Sequence, residues 1–445
     1  MDSATGYLLG NAQSQFNYAI EKNFRTPYAY VYSLGVQREL PGNFLLDVNY
    51  VGRLGRKLFA QSDAAQLVDF IDPASKQGVT DAFNQLATQI RAGTAGSLIT
   101  TQPWFENQMN SAIQTNFGLP NCQQFTAAVF GANIPTCTRL VRALFSTLLR
   151  RGDLTDTLQA MYGFFSGPFG GIIPQNVGLA GQFSVNSYIS NAGSSNYDAM
   201  LVSLTKRYSS GLQFQFNYTF GHSIDNVSTV ANTVIGGLVC DVRNLRVCRG
   251  NSDFDVTHLI SADGIYDLPF GKGKRFASHP SGWLNQIIGG WQFGTVATWH
   301  TGFAFSTSTD SFPVNFFVNS PALVTGGGSA LTSRIHSDTN GSIQMFSDPT
   351  AALGAFSFTN GGQVGSRNTL RGPGFWNFDT RFSKTFVLPR SESHKLTFQW
   401  DSFNAFNHTN FADPAADINS PASFGQITSQ ANANRVMQFA LRYDF

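Results

Sequence analysis

Arg435-Val436-Met437-Gln438-Phe439-Ala440-Leu441-Arg442-Tyr443-Asp444-Phe445 closes the chain. In an extended backbone successive side chains point to opposite faces, so Met437, Phe439, Leu441, Tyr443 and Phe445 share one side and Gln438, Ala440, Arg442 and Asp444 the other. About ten residues of such alternation, rich in aromatics, is the length that crosses a membrane as a tilted strand. A soluble sandwich strand would look the same locally, so the choice falls to the rest of the chain.

Upstream, alternating runs recur in pairs. Tyr28, Tyr30, Tyr32, Leu34 and Val36 are followed, after Pro41-Gly42-Asn43, by Phe44, Leu46, Val48 and Tyr50. Met200, Val202 and Leu204 lead through Ser209-Ser210-Gly211 into Leu212, Phe214, Phe216, Tyr218 and Phe220, which alternate without error against Gln213, Gln215, Asn217 and Thr219. A third pair runs from Phe254 to about Leu268, turns through Pro269 to Lys274, and returns over Ile288 to Phe305. A fourth runs from Phe375 to Val387, turns near Pro389 to Ser393, and returns from His394 to Asn404. Short turns thus alternate with long connections at 54–193, 222–252, 307–370 and 405–434. Outer-membrane barrels segregate loop length in this way, with tight periplasmic turns and long extracellular loops. Gln213, Gln215, Asn217 and Thr219 would make a poor sandwich core but suit a hydrated or plugged lumen, whereas Leu212, Phe214, Phe216, Tyr218 and Phe220 suit lipid.

The composition agrees. Charged residues make up 13% of 445, against ~25% in ordinary soluble domains, yet mean hydropathy is only −0.11. No apolar run reaches the ~18 residues of a transmembrane helix. A net charge of +2 gives no reason to expect nucleic acid as a partner. The expected fold class is therefore all-β, an antiparallel transmembrane β-barrel in the outer membrane of a Gram-negative bacterium, with long extracellular loops. Residues 1–26 form an irregular segment or loop end, 27–53 a barrel hairpin, 54–193 an extracellular insertion, and 194–445 the remaining hairpins. Within the insertion, Val79 to Ala92, Thr138 to Arg151 and Asp153 to Phe165 carry helical patterns.

Nine strands are legible, and single-chain bacterial barrels have an even number. A further strand in 1–26 or a larger parent barrel, of which about nine or ten strands lie here, would resolve the parity. Met1 to Thr5 lacks a basic region and an apolar core, so it does not read as a signal peptide, which favours a chain whose front is missing.

Four cysteines fall in two close pairs, Cys122 with Cys137 and Cys240 with Cys248, a pattern of local disulfides in an oxidising compartment. A four-cysteine metal site would need two-to-four-residue spacings that neither pair has. The Gly271 to Lys274 turn lacks the spacing of a phosphate loop, and the arginines of 138–151 read as a solvated basic face. His222, His258, His300 and His408 are dispersed, and no G-x-S-x-G motif or carboxylate pair of catalytic spacing appears. No catalytic residue, metal ligand or cofactor is expected.

Asn196-Tyr197-Asp198-Ala199 with Lys206-Arg207-Tyr208, Gly211-Leu212-Gln213-Phe214, Phe254-Asp255-Val256-Thr257-His258, Leu268-Pro269-Phe270-Gly271, Arg371-Gly372-Pro373-Gly374 and Phe403-Asn404-Ala405-Phe406-Asn407 resemble, in this order, the C-terminal barrel half of TonB-dependent outer-membrane receptors. The nearest likeness is to the Oar-like group with a carboxypeptidase-regulatory-like N-terminal domain. It covers most of 24–445 apart from the insertion. The resemblance implies a 22-stranded barrel plugged by an N-terminal domain and energised by a TonB-type transducer through that plug. Neither plug nor TonB box is in this sequence. It also implies that the barrel-assembly machinery reads the terminal aromatic Phe445, with Phe439, Leu441 and Tyr443 in phase. The expected function is import of a bulky nutrient, an oligosaccharide, peptide or metal chelate, by a barrel embedded in outer-membrane lipid. The alternative is a surface adhesin or structural protein acting through its loops.

Overall fold

The structure, a computed structural model, describes residues 17–64, 66–163, 171–174, 186–229, 237–315, 318–387 and 394–445. Its frame is one sheet of nine long strands: β1 (Tyr28–Leu40), β2 (Phe44–Asp63), β3 (Asn186–Ser209), β4 (Leu212–Asp225), β5 (His258–Asp267), β6 (Trp291–His300), β7 (Phe375–Val387), β8 (Lys395–Phe403) and β9 (Val436–Asp444). Each pairs antiparallel with the next in sequence, which leaves β1 and β9 at the two edges of an open, partial barrel. Two short strands attach to this meander, Asn17–Ile20 beside β3 and Gly250–Asn251 beside β4.

Turn chemistry sets the hairpins. Gly42 and Asn43 both have positive φ (85° and 64°), as do Ser210 and Gly211 (52° and 80°), the left-handed geometry that lets a tight turn match the twist of its flanking strands. The Pro389–Ser393 turn lies outside the described residues. Register then carries the faces across the sheet. Phe216 stands opposite Leu204 on one side and Ala262 on the other, while Gln215 stands opposite Thr205 and Asp263. A slip of one residue would turn every apolar side chain to the polar face, so the alternation and the pairing specify each other.

Several boundaries move. β2 runs on to Asp63 and β3 starts at Asn186, so the first long hairpin projects past 54 and 193, where alternation ends in the sequence. The β2–β3 register shifts between Gly55 and Leu58 and again before Ala60, with Lys57 at φ 51°. Such bulges displace the face of each following residue, which hides the strand from a period-two reading.

The insertion is helical throughout its described middle: α1 (Val79–Arg91), α2 (Pro103–Phe117), α3 (Cys122–Phe130), α4 (Cys137–Arg151) and α5 (Leu154–Gly163). α1, α4 and α5 match the expected helices, although Phe164 and Phe165 lie outside the described residues. α2 and α3 lie outside the helical patterns legible in the sequence. Asn and Thr are poor helix formers, and it is burial of Trp104, Phe105, Met109, Ile113 and Phe125 in a common core with Phe83, Leu86, Leu140 and Leu149 that makes these segments helical. Cys122 and Cys137 begin α3 and α4, and a disulfide ties the two helix starts together.

The connections read as loops at 307–370 and 405–434 also fold. Met345, Phe346, Phe356, Leu370, Phe424 and Ile427 bury a second small core between them. Finally, the β5–β6 connection is longer than a turn and holds a short helix, α6 (Gly282–Ile288). No helix among the described residues is long and apolar enough to cross a membrane.

Candidate functional site: a polar wall beneath a stapled rim

The polar face of the sheet is a continuous hydrogen-bonding surface. The Gln215 amide donates to Asn217 Oδ1 at 3.1 Å, and Asn217 lies opposite Ser261. Arg381 Nε donates to Asp401 Oδ1 at 2.6 Å, and Gln399 donates to the other carboxylate oxygen. Asn377 donates to Asp379 Oδ1 at 2.8 Å, as does the backbone N–H of Asn404. A hollow of about 620 Å³ runs along this face between Asp263, Gln292, Asp379, Arg381, Gln399 and Asp401. Gln213, Gln215, Asn217 and Thr219 all stand on this wall.

The opposite face is apolar. Leu212, Phe214, Phe216, Tyr218 and Phe220 form one row of it, and Phe293–Phe382, Phe382–Trp400 and Trp400–Phe439 pack ring to ring at 5.0, 5.7 and 6.0 Å across four strands. Phe439, Leu441, Tyr443 and Phe445 lie exposed along the edge strand β9. Near the long-loop end, Asp198 on this face accepts from the hydroxyls of Tyr32 (3.1 Å) and Tyr50 (2.7 Å), so a carboxylate there is satisfied by a belt of tyrosines.

The rim where the strands meet the long loops is held by two arginines. Arg371 donates to the Asp255 backbone carbonyl (2.7 Å) and pairs with its carboxylate, which also accepts from the Ser223 N–H (2.5 Å) and faces His222 Nδ1 at 3.2 Å. Asp255 is 1% exposed, so this charge is compensated entirely by its neighbours. Arg367 reaches Asp225 Oδ1 (2.6 Å) and Asp253 Oδ1 (3.1 Å) with its two terminal nitrogens and adds Ser228 Oγ (2.5 Å). Beside it, Asn368, at φ 51°, links Ser306, Asn251 and Asp253. Arg367, Asn368, Asp253, Ser228 and Ser306 border a cavity of about 430 Å³ under the loops, into which Leu238, Thr307 and the Cys240–Cys248 disulfide also face.

The helical insertion sits on this rim. Arg91 donates to Thr359 O and Asn360 Oδ1, Asn84 exchanges hydrogen bonds with Gly361, and Arg151 pairs with Asp310 at 3.3 Å. A side chain at Gly152 would run into the Thr359 carbonyl, so glycine there permits the close approach. Asp153 caps α5 by accepting from the Asp156 N–H at 3.2 Å; burial, and then the adjacent Asp156, push its carboxyl up to about 8. Burial also pushes Asp72 upward, but hydrogen bonds from Ser75, Asn107 and Gln108 overcome it and hold the carboxyl well below its usual range.

Of the seven histidines, the four singled out from the sequence are not gathered. His222 faces Asp255, His258 bonds Tyr218, His300 bonds the Thr301 carbonyl, and His408 stacks on Trp376 at 4.1 Å. Among the described residues no group of three acidic, histidine or cysteine side chains could hold a metal ion. Sequence reasoning missed the arginine staples as a site. Both partners of the Arg371–Asp255 pair nevertheless lie in the motifs that carried the family resemblance, and Asn404, from another of those motifs, closes the turn leaving β8 by bonding His408 and Ala433.

A family model described as "Outer membrane beta barrel domain" matches residues 2–438. None of the curated proteins matches the chain. Among solved structures it is similar to the outer membrane transporter YddB from Escherichia coli, with 10% identity and a TM-score of 0.37, over 95% of this chain and 33% of that one. The chain therefore spans about a third of that protein's length.

Proposed function

Because this chain belongs to the outer membrane β-barrel domain family, and so to the outer membrane of a Gram-negative cell, we propose that it is the barrel part of a TonB-dependent active transporter that imports a bulky nutrient: an oligosaccharide, peptide or metal chelate. The observation that carries this reading is the pairing of a polar, hydrogen-bonding wall with a folded cap of long loops over a hollow lined by side chains such as Asn226, Ser306, Asn319 and Arg367. Amides, hydroxyls and paired charges such as Gln399, Asn217 and Arg381–Asp401 offer many weak donors and acceptors, which suits a hydrated solute rich in polar groups better than an apolar one.

In this reading the apolar face meets lipid, and the short turns and Phe445 lie on the periplasmic side. The barrel-assembly machinery engages Phe439, Leu441, Tyr443 and Phe445, and energy arrives from a TonB-type transducer acting through a plug domain. Deletion of the whole gene should then abolish uptake or growth on one substrate class, and collapsing the proton gradient should abolish the same uptake. Unchanged uptake across a panel of oligosaccharides, peptides and chelates would sink the importer reading.

One observation favours a second reading, an adhesin or surface-structural role. The insertion has its own core and disulfide and presents a self-contained folded unit above the rim. Removing 64–185 should abolish cell or surface adhesion on that reading and leave it unchanged on the first.

A further inference from the structure

A lysine on the apolar face of a membrane strand normally stretches its ammonium toward the headgroups. Lys384 does not. It stands on β7 opposite Trp291 and Phe398, in the apolar row, yet is 3% exposed. Its ammonium is covered by the carbonyls of Gln286 and Ile287 at the end of α6 and lies over the rings of Trp291 (5.5 Å) and Phe386 (4.9 Å). The indole N–H of Trp291 donates to the same Ile287 carbonyl at 2.8 Å. Two donors from the apolar face therefore grip the carbonyl end of α6, where its unpaired acceptors and negative dipole end lie. The helix is pinned against the outer wall, at its short-turn end.

Pinned there, α6 turns apolar side chains outward. Trp283 and Ile287, four residues apart on one helical face, are 69% and 58% exposed, and Phe276 in the same connection is 49% exposed. The connection from 268 to 290 contains Lys272, Lys274 and Arg275 and no acidic residue. A Trp and an Ile beside three cations, continuous with a wall that meets lipid, has the makeup of a segment lying in the plane of a membrane surface.

We propose that the β5–β6 connection is a membrane-surface anchor that seats Trp283 and Ile287 among the acyl chains of the periplasmic leaflet and binds the phosphate of anionic glycerophospholipids through Lys272, Lys274 and Arg275. The proposal rests on the apolar face being the lipid face and is independent of what, if anything, the barrel transports. Its occupant follows from charge and position: the cations are exposed, and the helix they flank is fixed to the lipid side of the wall by Lys384 and Trp291.

The test uses the full chain in phosphatidylcholine vesicles, taking the fraction that migrates as folded barrel in unheated gels. A minor share of the lipid carries dibrominated chains, on either phosphatidylglycerol or phosphatidylcholine. The difference between the chain and its Trp283→Phe variant isolates quenching of that one indole. We expect quenching by both lipids, stronger for brominated phosphatidylglycerol by about twofold or more, and loss of that preference in a Lys272→Gln/Lys274→Gln/Arg275→Gln variant, whose replaced side chains are all exposed. Absence of quenching at Trp283 would mean that the helix faces water or a periplasmic protein and would overturn the anchor. Equal quenching by the two lipids in the unmodified chain would overturn the phosphate site. Unchanged uptake on deletion of the gene, with the lipid preference intact, would count against the transporter reading alone.

Discussion

Replacing Phe216 by Arg tests the assignment of faces. Phe216 lies five residues beyond Gly211, the last residue of the β3–β4 turn. At ~3.3 Å per residue and a strand tilt of ~40°, it sits roughly 13 Å above that turn, near the middle of an apolar band ~25 Å tall. Its neighbours across the strands are Leu204 and Ala262, which offer an arginine no acceptor. The guanidinium must then drag water inward or thin the bilayer, at a cost of ~2–4 kcal/mol near the midplane, which corresponds to roughly a hundredfold in the folding equilibrium. Gln215→Arg moves the same group by one residue to the opposite face, where it stands opposite Thr205 and the Asp263 carboxylate; its effect should stay within ~0.5 kcal/mol. Reversible urea unfolding in vesicles, followed by tryptophan fluorescence, reads both variants, with unchanged slope confirming that the same transition is compared. Equal midpoints for the two variants would refute the faces and, with them, the membrane role of the sheet.

The rim should depend on its buried ion pair. Arg371→Met leaves the Asp255 carboxylate with only Ser223 N–H and His222 beside it and should cost ~3–5 kcal/mol; a double-mutant cycle with Asp255→Asn that shows no coupling would remove the staple from the account. The Cys122–Cys137 bridge spans 15 residues, so replacing both cysteines by serine should destabilise the insertion by ~3 kcal/mol, seen as faster proteolysis of 79–163 with the sheet unaffected. Asp153, pushed up to about 8 when folded, keeps its proton in the folded state at pH values where the unfolded chain has lost it. Its contribution to stability is full below the ordinary carboxyl range and is lost as pH rises through about 8. Hydrogen exchange of 154–163, corrected for intrinsic rate, should accelerate toward alkaline pH, and Asp153→Asn, which retains an N-capping oxygen, should flatten that dependence.

Period-two alternation is a property of each segment alone, which is why nine strands and their faces were legible without coordinates, whereas the β5–β6 connection, which the sequence reads as a turn, spans 268–290 and holds α6. The same local rule found α1 and α4, whose apolar residues recur at helical spacing. It failed where a residue's state is set by partners far along the chain. β2 and β3 continue past 54 and 193 because they pair through bulges that scramble the faces. α2 and α3 exist because a shared core buries Trp104 and Phe125.

The candidate site shows the same division. Gln215 and Asn217 could be placed on the polar wall from sequence, but Arg371 meets Asp255 across 116 positions and Arg367 meets Asp225 across 142, pairings no window of sequence contains. Lys384 is the sharpest case. By alternation it is a charge on the apolar face of a strand, and only the docking of α6 supplies the carbonyls that cover it. Sequence alone thus determined which side of each strand is greasy, since that depends on neighbours two residues apart, while tertiary structure decided how the buried charges are compensated and where the connecting segments fold, since each depends on groups far apart in the chain that only the folded whole brings together.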